Sequence, residues 1–241
     1  MIIGIKAKRL LLLLMAGVLA VTVLFARAEK NDETRAETVV LKEKDKSVLV
    51  IDPGHGGEDG GAQSADGLIE SGVNLDISLR MDAICKLMGI QTVLTRESSD
   101  INYPDDARTT AARKKYDQNQ RLELINSIPT AVMVSIHQNK FPDSRPKGSQ
   151  VLYSAADGSK ELGEIMQANL VSEIYPENRR VAAPISKKIY LTRMAKCPAV
   201  LVECAFLSNP EEAALLRTDK YKISLAVVIL GSYMQYDKGI F

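Results

Sequence analysis

Three short aliphatic runs limit what this chain can fold into: VLVI at Val48–Ile51, AVMVSI at Ala131–Ile136 and AVLVECA at Ala199–Ala205. Val48–Ile51 is too short for a helix and too uniformly apolar for a strand with one wet face. It reads as a strand buried on both sides of a sheet. Between these runs the period changes. In Glu70–Met88, apolar residues recur at three- and four-residue steps (Val73, Ile77, Met81, Ile84, Met88), and Gly89 is placed to end a helix. Further strands are expected at Gln91–Thr95, Gln150–Ser154 and Ile189–Thr192. Further helices are expected around Arg121–Asn126 and at Ser159–Ile174, Glu211–Leu216 and Lys220–Tyr236, with a polar, basic connection over Glu97–Gln120. Strands alternating with helices predict a single α/β domain, with a mostly parallel sheet of about six strands covered by helices on both faces.

The first residues follow a different logic. Lys6, Lys8 and Arg9 precede an uninterrupted apolar run from Leu10 to Ala26, after which Glu29, Lys30 and Asp32 restore polarity. Basic residues before such a run mark an export signal or a membrane anchor, with the body of the protein delivered outside. The run sits at the short end of the roughly 17–25 residues a bilayer span needs. Ala26-Arg27-Ala28 has the small-x-small form of a cleavage site, so cleavage and anchoring through residues 10–26 both fit. The expected organisation is an export segment over 1–28, a charged linker over 29–46 and one catalytic domain over 47–241, within the size of an ordinary domain.

Composition removes several functions. A net charge of +1 offers nothing to nucleic acid, and a chain without Trp and with 5% aromatics is not built around an aromatic sugar-binding platform. The three cysteines, Cys85, Cys197 and Cys204, lack the spacing of a disulfide framework or a zinc ribbon. Cys85 and Cys204 read as small buried hydrophobes.

Four polar residues stand out against this pattern. His55 follows the first strand within DPGHGG, and His137 ends AVMVSI; these are the only two histidines in the chain. Glu203 interrupts AVLVECAF, where an acid needs a cation or a proton. Glu70 opens the first long helix. Singly, each has an ordinary structural explanation, Glu70 as a first-turn carboxylate favoured by the helix dipole. Together they match a hydrolytic zinc site, in which two histidines and a carboxylate hold the metal and a second carboxylate serves as general base and acid. In such a sheet these groups gather beyond the carboxyl ends of the strands. The residues do not say which glutamate is the ligand, nor what the substrate is. The glycines at 54, 56, 57, 60 and 61 suit a chain turning tightly around such a centre.

The blocks VIDPGHGGEDGGA, LIESGVNLDISL, SIHQN and LVECAFLSNPEE occur in that order. They resemble the zinc-dependent N-acetylmuramoyl-L-alanine amidases of the third amidase family, over Val48 to Tyr236. The resemblance implies a zinc-exopeptidase-like fold and one Zn²⁺ per chain, with ligands at His55, Glu70 and His137 and the catalytic glutamate at Glu203. It implies a peptidoglycan substrate, cut at the amide between the lactyl group of N-acetylmuramic acid and L-alanine. The stretches RKKYDQNQRLELIN and KKIYLTRMAKCPAVLVECAFLSNPEE are most similar to germination-specific amidases of endospore formers, implying a role in cortex maturation towards muramic-δ-lactam and a place in the forespore or cortex space. The chain departs from the family pattern at Ser71, Gly72, Lys140 and Ala205, none of them a ligand or the base. Asn139 is a candidate for orienting the site or touching substrate. The cluster Arg113, Lys114, Lys115 and Arg121 reads first as a solvated helix face, and second as an attractor for peptide carboxylates. A zinc carboxypeptidase or deacetylase, a non-catalytic wall-binding module, and an enzyme dependent on an activator protein remain as alternatives.

Overall fold

The computed structural model describes residues 46–239. The expected export segment and all but the last residue of the expected linker lie outside the described residues. The sheet has six strands: β1 (Val48–Pro53), β2 (Thr92–Leu94), β3 (Ala131–Asn139), β4 (Gln150–Tyr153), β5 (Ala183–Pro184) and β6 (Ala199–Phe206), in the order β2-β1-β3-β6-β4-β5. Only the β4–β6 pairing is antiparallel. The helices are α1 (Glu70–Met88), α2 (Thr110–Asn126), α3 (Ser159–Glu173), α4 (Tyr190–Met194), α5 (Pro210–Leu216) and α6 (Asp219–Asp237). None of the described helices is long and apolar enough to cross a membrane.

Both faces of the central strands are buried, which is why their sequences show no alternation. Leu49 and Ile51 of β1, Val132, Val134 and Ile136 of β3, and Val200, Val202 and Cys204 of β6 pack with α1, α3 and α6. Val50, Ala131, Met133 and Ala199 face the other way, against Ile125 of α2, Leu191 of α4 and Ala195 just after it. Side chains two residues apart share a face of a strand. The second set therefore continues into Asp52 on β1, Ser135 and His137 on β3, and Leu201 and Glu203 on β6. These residues, polar except for Leu201, line a cleft roofed by α2 and α4, at the carboxyl ends of parallel strands.

Gly89 closes α1 as expected. Its backbone is left-handed (φ 69°), its N–H donates to the Lys86 carbonyl, and the Ile90 N–H donates to the Cys85 carbonyl at 2.9 Å. Two expectations need correction. Ile189–Thr192 is not a strand: Tyr190–Met194 forms one helical turn, which puts Leu191 and Ala195 on the same side against Ile125. A four-residue run fits either period, and here burial selected the helical one. The last strand position at the sheet edge is instead taken by Ala183–Pro184, paired with Leu152 and Tyr153. The connection over 97–120 is also shorter than expected, because α2 starts at Thr110, where the Thr109 hydroxyl accepts from the Ala112 N–H at 3.1 Å. Its start is invisible in apolar periodicity because its only fully buried side chains are Arg121 and Ile125.

Candidate active site

Glu70, at the first position of α1, is almost wholly buried, and its carboxylate is turned into the molecule. Oε2 accepts from the Ala62 N–H at 2.7 Å, and Oε1 accepts from the Gln138 N–H at 3.1 Å and from Asn74 Nδ2 at 3.3 Å. Two imidazoles converge on the same Oε1: His137 Nδ1 at 3.0 Å and His55 Nε2 at 3.3 Å. The rings meet edge to face with centroids 4.9 Å apart. One donor atom from each of His55, Glu70 and His137 lies within 4.8 Å of the others. Two imidazole nitrogens and one carboxylate are the donor set of a catalytic zinc site with an open position, so the residues present fit that metal.

The loop between β1 and α1 brings His55 into this group. His55 is the only described non-glycine residue with positive φ, at 60°. Two neighbours must be glycine for the rings to fit. A Cβ on Gly54 would run into the His137 ring, and one on Gly61 (φ 71°) would lie 2.5 Å from Glu70 Oε2 and 2.7 Å from His55 Cδ2.

Glu203 stands directly opposite His137 across the β3–β6 ladder, facing the same cleft. Its Oε2 is buried without a hydrogen-bond partner among the described residues. Burial pushes its pKa up to about 7, with the nearby His137 opposing and Glu70 reinforcing the shift. Its neighbours behave differently. Burial works against charge on Glu70, but hydrogen bonds and charge from His137 and His55 hold it well below the usual carboxylate range. Burial likewise opposes a charged His55, yet hydrogen bonds to Asp59 and Glu70 push it up to about 9.

These shifts set how the stability of the metal-free protein depends on pH. His55, raised from 6.5, contributes stability that is complete below pH 6.5 and lost as pH rises through about 9. Glu70, depressed from 4.5, contributes stability present above pH 4.5 and lost as pH falls below it. The chelated protein is therefore expected to melt several degrees lower at pH 9.5 than at pH 6.5, at about 2–4 °C per kcal/mol for a domain of this size. A metal bound at the trio would take the place of the His55 proton and remove this decline. Thermal melts of both forms across pH check this.

The basic cluster separates into different roles, and the solvated-face expectation is corrected for Arg121. Arg121 is buried. It donates to Asp52 Oδ1 at 3.0 Å, to the Pro53 carbonyl at 2.8 Å, to the His55 carbonyl at 2.8 Å and to Asp117 at 2.8 Å. Arg96 grips the same loop, donating to the carbonyls of Pro53 (3.0 Å), Gly54 (3.1 Å), His55 (2.7 Å) and Ser71 (2.9 Å). Burial and the neighbouring Arg121 push Arg96 down to about 10. Arg113 pairs with Glu58, and Lys114 with Asp59 at 2.8 Å, while Lys115 is exposed. Asp52 is further held by Ser135 at 2.5 Å and Thr95 at 2.6 Å. Replacing Arg121 by Met should cost about 3–5 kcal/mol, the range for stranding one member of a buried ion pair. Urea denaturation measures it, and Lys should rescue poorly, since one ammonium cannot span the same acceptors.

Asp52, Asp59, Asn74, Arg96 and Gln138 were not visible as site residues in the sequence. Asn74 had one signal, its place one helical turn after Glu70. It bridges the Gly54 carbonyl (3.2 Å) and Gln138 (3.1 Å). Asn139 lies where the β3–β6 register shifts, and its carbonyl accepts from the Leu207 N–H at 2.8 Å. It does not line the cleft of about 280 Å³ that His55, His137, Glu203, Lys114, Lys188 and Tyr190 help to form.

Fold and site together define an α/β enzyme whose active centre sits at the carboxyl edge of a parallel sheet. The profile of the N-acetylmuramoyl-L-alanine amidase family matches residues 49–232, and the chain belongs to that family. It is 32% identical over 212 residues to the germination-specific N-acetylmuramoyl-L-alanine amidase of Bacillus subtilis, covering 87% of each chain. Among solved structures it is similar to the CwlD amidase from Clostridioides difficile, determined in complex with the GerS lipoprotein (TM-score 0.76, 32% identity, 79% of this chain and 98% of that one). It is also similar to the catalytic domain of the amidase CwlV from Bacillus (Paenibacillus) polymyxa (TM-score 0.64, 26% identity, 79% and 97% covered).

Proposed function

We propose that this enzyme is a zinc-dependent amidase in which His55, Glu70 and His137 hold one Zn²⁺ and Glu203 is the general base and acid. Its reaction is hydrolysis of the amide between the lactyl group of N-acetylmuramic acid and L-alanine in peptidoglycan. The observation that carries the reading is Glu203: a buried acid beside the His–Glu–His trio, facing the cleft, with one oxygen unpartnered among the described residues and its proton affinity raised by burial. A general base works best when its pKa lies near the operating pH. Zinc bound at the trio would supply Lewis-acid polarisation of the water and of the scissile carbonyl. Glu203 takes a proton from the attacking water as its oxygen bonds to the lactyl carbonyl carbon. It returns that proton to the nitrogen of L-alanine as the C–N bond breaks, leaving a lactyl carboxylate and a free amine.

Lys114 and Lys188 flank the cleft and suit the carboxylates of a stem peptide. Asn139, at the end of the strand that carries His137, ties β3 to the end of β6 through its main-chain carbonyl. The similarity to the germination-specific amidase supports a role in maturing the spore cortex, and the N-terminal residues support export to the wall-facing side of the membrane. The lipoprotein bound to the C. difficile amidase makes a lipoprotein a candidate partner here. The test of metal dependence is reconstitution. Chelated enzyme should not hydrolyse a muramyl-L-alanyl peptide, and one equivalent of Zn²⁺ per chain should restore activity. Activity that survives complete chelation would contradict the reading.

A further inference from the structure

The main chain at His55 is fixed by the Arg96 and Arg121 guanidiniums, but these bonds end on carbonyls and do not reach the ring. The ring has its own anchor. Nδ1 of His55 lies 3.0 Å from Asp59 Oδ2, while Nε2 faces Glu70. Asp59 is itself held in place: its main chain exchanges two hydrogen bonds with Gly56 (2.9 and 3.1 Å), and its Oδ1 accepts from the Gly61 N–H at 3.2 Å. A neutral imidazole that binds a metal through Nε2 carries its proton on Nδ1, and that proton needs an acceptor. His137 differs, since among the described residues its only carboxylate partner is Glu70. Lys114 Nζ approaches the same Asp59 Oδ2, at 2.8 Å, so that oxygen is shared between His55 and Lys114.

We propose that Asp59 is a positioning residue for the metal centre: it fixes the tautomer and ring orientation of His55, and Lys114, by sharing the same oxygen, moderates that grip. The inference rests on the trio being the metal site. It predicts effects of opposite sign. Asp59→Asn should weaken zinc binding 10–100-fold, the usual cost of losing such an outer partner. Lys114→Met should leave zinc binding as tight as the parent's or tighter. Zinc affinity is read by competition with a chromophoric chelator, on full-length folded protein with stoichiometry measured alongside.

A second readout exploits the chain having two histidines only. In nitrogen-15 NMR of the zinc-loaded protein, the His55 Nδ1–H signal should be downfield in the parent, move in Asp59→Asn and shift the opposite way in Lys114→Met, with the His137 signals unchanged. This readout depends on the hydrogen bond and not on global stability, so a partly destabilised Asn variant still gives an answer. Asp59→Asn binding zinc within twofold of the parent, with an unmoved His55 signal, overturns the proposal and leaves the metal site standing. A parent chain that binds no zinc at the trio overturns both.

Discussion

Glu203→Gln should reduce amide hydrolysis by about 10²–10⁴-fold, the range for losing a general acid–base group, while the protein still binds one zinc. The reason lies in the strand register. Glu203 is opposite His137 on β6 and lines the cleft, yet it makes no hydrogen bond to the converging trio. Gln keeps the volume and removes the ability to take a proton from water. It should not disturb folding, since the carboxylate gives up no hydrogen bond at Oε2. Steady-state kinetics combined with metal analysis separates the two functions. Loss of zinc together with activity would move Glu203 into the ligand set.

Glu70→Ala should have the reverse signature: zinc is lost, and activity goes with it. If about 10–16 kcal/mol of a four-ligand zinc site is shared evenly, one ligand is worth about 3 kcal/mol, or two orders of magnitude in affinity. The variant also strands the Ala62 and Gln138 N–H groups that Glu70 satisfies, at about 1–3 kcal/mol for each group left buried. A lower melting temperature should therefore accompany the loss of metal. A variant that retains stoichiometric zinc and full activity would exclude Glu70 from the centre.

How much of this was legible beforehand depended on whether a residue violated its local pattern. Glu203 within AVLVECAF, and His137 at the end of AVMVSI, are polar where the strand is otherwise apolar, and period-two alternation puts them on one face. The core of parallel strands was readable for the same reason, and Gly89 marked the end of α1. Arg121 gave no such signal, because a basic residue in a polar helix looks like a solvated one. Only the three-dimensional approach of α2 to the β1 loop reveals that it is buried against Asp52 and two carbonyls. Arg96 and Asp59 were hidden likewise, since each acts through a loop whose path local sequence does not determine. The run at Ile189–Thr192 failed in another way: a segment of four residues fits strand and helix equally, and packing against Ile125 decided.

The most direct test of the central claim is to digest purified peptidoglycan with zinc-loaded enzyme and identify the products by mass spectrometry, with Glu203→Gln and a chelated sample in parallel. The account predicts stem peptides with a free L-alanine amine and glycan strands with intact lactyl carboxylates, formed only by the zinc-loaded parent. Cleavage at a glycosidic or cross-linking bond, or the same products from the chelated enzyme, would contradict it.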